Sequence, residues 1–279
     1  MRKSLKIRPL LSVVLLILCC IFTFTFACGA AASEQDADTP SVARPSSDGQ
    51  LKVSGSALVN QDNEPAVLHG VSTHGLSYYP EFVNGSLFRF VSDNWNVDLV
   101  RLPMYSEEYV KAPEYNLNIL RTGIEAAIAA DQYVIVDWHI LEDNDPHIHM
   151  EEAKVFFSMI SEEYAGVPNF LYEICNEPNG DVTWDDIYDY AEQIVPLIRK
   201  ASPDAPIFIG TPDYDRDLTG PVSKPFPDPN VMYSFHFYAA SHHDEMMQLL
   251  GSALSAGLPV FVTECGISEE SGNGRIDYE

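Results

Sequence analysis

A chain of 279 residues with 41 acidic against 16 basic residues, and a formal net charge of −25, has room for one large α/β domain. That balance excludes nucleic acid and anionic membrane surfaces as partners, because both are gripped by basic patches. It is compatible with a neutral polymer, and much of it serves to keep an exported protein soluble.

The chain opens on a basic head, Arg2, Lys3, Lys6 and Arg8, followed by a nearly unbroken apolar run from Leu10 to Ala27 and small residues from Cys28 to Ala32. This layout predicts a secretory signal over residues 1–28, with a retained membrane anchor as the alternative because the run approaches the length of a span. Ala27-Cys28-Gly29-Ala30 resembles a bacterial lipoprotein cleavage site, which would make Cys28 a lipidated first residue. Thr25 departs from that pattern, and ordinary cleavage among Ala30 to Ala32 stays open. Residues 29–49, rich in Ser, Asp, Pro and Ala, read as a flexible tether, and residues 50–279 as the folded domain. The expected location is outside the cell or on its surface, with the membrane touched through the N-terminal lipid alone, and the expected state is a monomer.

Past the tether, a short strand pair at Leu51–Ser54 and Ala57–Asn60 reads as a lid under a barrel. Apolar runs then alternate with helix-period segments, the pattern of βα units around a parallel sheet. Strands are predicted at Ala66–Val71, Val97–Leu102, Tyr133–Trp138, Asn169–Ile174, Pro206–Gly210, Val231–Phe235 and Val260–Thr263. Helices are predicted at Asn84–Asn94, Ile119–Asp131, Glu151–Tyr164, Thr183–Ala201 and Asp244–Ala256, the fourth opened by the capping signal Thr183-Trp184-Asp185-Asp186. The fold class is α/β, a (β/α)8 TIM barrel of which seven of eight strands are evident. Seven strands would leave two unpaired edges, so a C-terminally incomplete reading frame is expected.

Two segments carry the chemistry. Glu173-Ile174-Cys175-Asn176-Glu177-Pro178-Asn179 and Pro259-Val260-Phe261-Val262-Thr263-Glu264-Cys265-Gly266 each place a glutamate at the exit of a short apolar strand. Two carboxylates at the carboxyl ends of two strands of one barrel are the equipment for cleaving a glycosidic bond. A helix-capping or salt-bridged strand-end acid is the bland alternative for either. Cys175 and Cys265 flank these acids and are expected as two buried free thiols, a disulfide across the barrel mouth being the alternative.

Six motifs in chain order make the chain resemble the glycoside hydrolase family 5 cellulases of the bacterial endoglucanase type, over residues 50–279. They are Leu68-His69-Gly70-Val71-Ser72-Thr73-His74-Gly75, Val100-Arg101-Leu102-Pro103-Met104-Tyr105, Val136-Asp137-Trp138-His139, Asn176-Glu177-Pro178, Phe235-His236-Phe237-Tyr238 and Thr263-Glu264-Cys265-Gly266. The resemblance implies Glu177 as general acid/base and Glu264 as nucleophile of a retaining reaction on a β-glucan, with no metal or organic cofactor. It further implies that Asn176 bonds the sugar 2-hydroxyl, that Arg101 and Tyr238 support Glu264, and that His236 orients or tunes the acid/base. His74 and His139 would contact sugar on the non-reducing side of the cut. A lone strand-end histidine is otherwise as often a core residue.

Tyr78, Tyr105 and Tyr214 are the candidate sugar platforms, Tyr78 and Tyr214 standing where relatives usually carry Trp. Trp138 reads as core, and Trp95 and Trp184 as core or helix packing. Cys265 also replaces a Trp of the relatives, and the stacking Trp that ends their eighth strand lies beyond the strands seen here. A β-1,4-mannanase or mixed-linkage glucanase shares this equipment and remains the alternative within the class. A truncated, inactive carbohydrate-binding remnant is the alternative outside it. His147-Ile148-His149 and His242-His243-Asp244 have metal-ligand composition but no third and fourth partner at convincing spacing, and read as solvated loop histidines.

Overall fold

The computed structural model describes residues 42–272 and 274–278. The signal segment, Cys28 and the tether up to residue 41 lie outside the described residues. Among the described residues no helix is long and apolar enough to cross a membrane.

Residues 42–49, the end of the expected tether, are docked. Ala43 is buried, a short helix α1 (Pro45–Asp48) follows, and Ser46 binds the carboxylate of Asp131. The antiparallel hairpin of β1 (Lys52–Ser54) and β2 (Ala57–Val59) comes next, as the sequence predicts. Seven parallel strands then form one curled sheet in chain order: β3 (Gly70–Ser72), β4 (Leu99–Tyr105), β5 (Tyr133–His139), β6 (Phe170–Glu173), β7 (Ile207–Ile209), β8 (Val231–Tyr238) and β9 (Val260–Gly266). The helices are α2 (Gly85–Trp95), α3 (Ser106–Lys111), α4 (Pro113–Ala129), α5 (Met150–Glu163), α6 (Trp184–Ala201), α7 (Thr219–Ser223) and α8 (Asp244–Ser255).

Side-chain alternation along the strands makes two cores. One face, with Val100, Leu102, Val134, Val136, Tyr172 and Ile207, packs under the helices. The other, with Leu99, Tyr133, Ile135, Leu171, Phe208 and Met232, fills the interior, where Leu51 and Leu58 from the hairpin close the bottom. Helix α6 shows how the sequence dictates its own placement. Ile187, Tyr190, Ala191, Ile194 and Ile198 recur at helical spacing and are wholly buried, and the capping box of Thr183 and Asp186 is formed.

Several expectations are corrected. Trp95 is 63% exposed, its indole resting edge-on against Phe90 on the outer face of α2 rather than in a core. Helix α4 begins six residues before the predicted Ile119, at Pro113, whose fixed φ suits a first helical position. The helix α3 is absent from the predicted set because it is too short to show a period. Both cysteines are free thiols, but Cys265 is exposed where burial was expected.

Candidate active site

The barrel interior changes chemistry along each strand. Two residues beyond Leu99, Ile135, Leu171 and Met232, on the same face, stand Arg101, Asp137, Glu173 and Ser234, all buried. The apolar plug thus gives way to a charged layer at the carboxyl ends. Strand β9 would break the pattern, since Glu264 is an odd number of residues from the inward Phe261. A bulge repairs it. Phe261 pairs with Ser234 but Glu264 pairs with His236, so β9 spends one extra residue and turns Glu264 inward.

Glu264 is gripped from two sides. Arg101 Nη1 donates to Oε2 at 3.0 Å, and the Tyr238 hydroxyl donates to Oε1. Arg101 is itself 2% exposed and also binds Glu173 Oε2 at 2.7 Å and Asp137 Oδ2 at 2.9 Å. Burial alone would raise Glu264, but Arg101, His236 and the Tyr238 hydroxyl outweigh it and hold the carboxyl at about 2. Burial pushes Asp137 the other way, up to about 7, with Arg101 opposing. The site therefore keeps Glu264 as an anion.

Glu177 sits beyond β6 with φ at 44°, a left-handed conformation that costs a non-glycine residue about 1–3 kcal/mol. The following Pro178 restricts it further. Its N–H donates to Asp215 Oδ2 at 3.1 Å, and Asn179 Nδ2 donates to its carbonyl at 3.0 Å. The carboxylate meets His236, whose Nδ1 lies 2.9 Å from Oε1. On its other side His236 Nε2 lies 2.8 Å from Thr263 Oγ1 and 3.5 Å from Asp215 Oδ2. Burial would lower His236, but Asp215, Glu177 and Glu264 raise it to about 9. As an imidazolium it donates its Nδ1 hydrogen to Glu177 Oε1. Carboxylate oxygens of Glu177 and Glu264 come within 4.8 Å of each other, with His236 beside them.

A cleft of about 790 Å³ opens above these groups. His74, Tyr105 and His139 line it on one side, and Tyr214, Tyr238 and His236 on the other. His74 stacks parallel to Tyr105 at 6.4 Å, and Tyr78, 47% exposed, stands edge-on to Tyr105 at 5.2 Å. Gly75 is required there: a Cβ would lie 2.6 Å from the Tyr78 ring and 2.7 Å from the Tyr105 ring. His139 is kept neutral, lowered to about 3 by burial and Arg101, with Nδ1 donating to Asp137 at 2.8 Å. Asn176 is wholly buried. Its Nδ2 donates to Ile140 O at 2.9 Å and approaches His139 Nε2 at 3.3 Å, while its Oδ1 accepts from Arg101 at 2.7 Å.

All the sequence-predicted residues except Cys28, outside the described residues, are therefore gathered in or around one cleft. Sequence reasoning missed Asp137, Glu173 and Asp215 as members of the buried layer, although a lone acid inside an apolar strand already demands a cationic partner. It also read His242 as a solvated loop residue. His242 instead lines the cleft, its Nδ1 accepting from the Tyr238 N–H at 2.9 Å and its Nε2 lying 3.1 Å from both Arg216 and Glu270. His147 is engaged by Asp145 and Asp189.

Comparison with known proteins agrees with this geometry. The family model described as cellulase (glycosyl hydrolase family 5) matches residues 59–279. The chain is 40% identical over 236 residues to endoglucanase A of Butyrivibrio fibrisolvens, covering 82% of this chain and 54% of that protein. It is 42% identical over 229 residues to an endoglucanase of Clostridium saccharobutylicum, covering 81% and 51%. The chain thus spans about half the length of the curated relatives it matches. Among solved structures, the catalytic domain of Thermobifida fusca endoglucanase Cel5A in complex with cellotetraose superposes with a TM-score of 0.80 at 37% identity, covering 85% of this chain and 80% of that one.

Proposed function

This chain belongs to the glycosyl hydrolase family 5 cellulases, and from that premise we propose that it is an endo-β-1,4-glucanase that cuts β-glucan chains with retention of configuration. The observation that carries the reading is the approach of the Glu177 and Glu264 oxygens to within 4.8 Å. Retaining enzymes hold their carboxyls about 5–5.5 Å apart, and inverting ones about 6.5–9.5 Å, to seat a water. Arg101 and Tyr238, which hold Glu264 as an anion, support its role as the nucleophile.

In the first step a Glu264 oxygen attacks the anomeric carbon as the glycosidic C–O bond breaks, and Glu177 passes its proton to the departing sugar oxygen. In the second, the Glu177 carboxylate takes a proton from water, which attacks the anomeric carbon and releases Glu264. Each cycle consumes one water and returns both acids to their starting states. Names of the relatives as endoglucanases, and cellotetraose in a structural neighbour, support β-glucan as the substrate.

Glu264→Gln and Glu177→Gln should each lower turnover of carboxymethylcellulose by orders of magnitude, and proton NMR should show the β-anomer of the new reducing end first. Wild-type-like rates in either variant would remove the assignment. Faster cleavage of mannan or mixed-linkage glucan than of a β-1,4-glucan would shift it within the class.

The basic head and apolar run at the N-terminus support export, and Cys28 supports a lipid anchor on a monomeric enzyme. Mass spectrometry of the mature N-terminus checks both, since a diacylglyceryl Cys28 and a plain N-terminus after Ala30 to Ala32 differ by the mass of the lipid.

A further inference from the structure

Asp215 is the buried acid that neither motif nor strand explains. It ends the segment Pro212–Asp215, in which Asp213, Tyr214 and Asp215 all hold left-handed backbone, with φ of 58°, 60° and 58°. Such a run persists only when its surroundings over-determine it. Here they do. Asp215 Oδ1 accepts from Thr211 N at 2.5 Å and Oδ2 accepts from Glu177 N at 3.1 Å, while Tyr214 N donates to Pro178 O at 3.1 Å. Gly210 lets the two loops close, because a Cβ there would lie 2.1 Å from the carbonyl oxygen of Cys175. The same Asp215 carboxylate lies 3.5 Å from His236 Nε2, opposite the Nδ1 that holds Glu177.

We propose that Asp215 is a positioning residue for the acid/base, fixing the strained backbone of Glu177 and, through His236, the direction and charge of the group that holds its side chain. This rests on the reading of Glu177 as acid/base. Burial pushes Asp215 up to about 7 with His236 opposing, and both its oxygens accept N–H donors, the arrangement of an ionised carboxylate. The two groups share one charge balance, in which the Asp215 anion favours the imidazolium. The other charged groups around His236 are Glu177 beyond β6, Glu173 in β6 at 4.0 Å, Glu264 in β9, and Asp137 and Arg101 farther across the barrel. Asp215 is the first of the acids raising His236. One carboxylate thus makes the proton donor and the exposed ring of Tyr214 a single unit.

The test separates positioning of a proton donor from general packing. Asp215→Asn should lose about 10- to 100-fold in kcat/KM on cellotetraose, whose leaving sugar needs a proton. It should retain most of its rate on 2,4-dinitrophenyl β-cellobioside, whose leaving group does not. The titration of His236, read from its 15N shifts, should move to lower pH in this variant, because His236 gives up its proton earlier without that counter-charge. Equal losses on both substrates with an unmoved His236 titration would overturn the proposal.

Glu177→Ala is run beside it. If that variant discriminates the two substrates and Asp215→Asn does not, Asp215 alone is refuted. If Glu177→Ala fails to discriminate, the acid/base reading falls and the proposal with it. Should Asp215→Asn not fold, 15N spectra of the unmodified full chain decide. Both His236 ring nitrogens should be protonated near neutral pH, and a neutral ring would overturn the proposal.

Discussion

Arg101 shows how one side chain sets the chemistry of its neighbours. A guanidinium wholly removed from water is costly unless its donors are used, and here they reach Glu173, Asp137, Asn176 and Glu264. Arg101→Met should therefore destabilise the fold by roughly 3–5 kcal/mol, read from urea unfolding, because it strands buried acids without a partner. Tyr238→Phe is the gentler probe. Removing one donor lets burial act more strongly on Glu264, so its pKa rises from about 2 toward the ordinary value. On the proposed reading, in which Glu264 attacks as an anion, the acidic limb of kcat/KM should move to higher pH. An unmoved limb would show that the hydroxyl contributes nothing to its ionisation. His236 has the opposite sign. Its folded pKa near 9 exceeds the ordinary 6.5, so its stabilising contribution is full below 6.5 and is lost as pH rises toward 9. The melting temperature of His236→Gln should fall less over that window than that of the unmodified chain.

The elements themselves make separable predictions. Thr183→Ala removes the cap of α6 and should cost about 1 kcal/mol of unfolding free energy without touching activity. Deleting Val262 is different, because it removes the extra residue of β9 and restores strict alternation. Glu264 then stands two residues from the inward Phe261 on a regular strand and should still face the cleft, so hydrolysis should persist at a reduced rate while circular dichroism stays native-like. Loss of hydrolysis with a native-like spectrum would mean that the bulge itself, and not the inward register alone, aims Glu264. That bulge also marks where the sequence stops being legible. The strand alternation, the α6 cap and the two glutamates could be read directly, because each depends on local pattern. Pairing Ser234 with Phe261 and His236 with Glu264 is a relation between strands, and no run of residues announces it. Asp215 was invisible for the same reason: its partners, Glu177 and His236, come from the loop after β6 and from β8. His242 misled because composition alone cannot tell a solvated histidine from one clamped between Arg216 and Glu270.

Across the whole molecule, stability is graded around the sheet. Strand β5 is buried at every residue and pairs on both sides, whereas β3 pairs with β4 alone and β9 with β8 alone among the described residues. Both of those outer strands carry half-buried or exposed residues over most of their length. In hydrogen exchange, amides of β3 and β9 should therefore open well before those of β5 and β6. Uniform protection around the barrel would contradict this grading. The cleft lies across the same discontinuity, with Ser72 ending one outer strand, Thr73 and His74 following it, and Glu264 belonging to the other. Arg101 reaches toward both, with Nη1 3.5 Å from Ser72 Oγ and 3.0 Å from Glu264. An oligosaccharide laid in that cleft would touch both lips and act as a brace, its binding free energy appearing as resistance to melting.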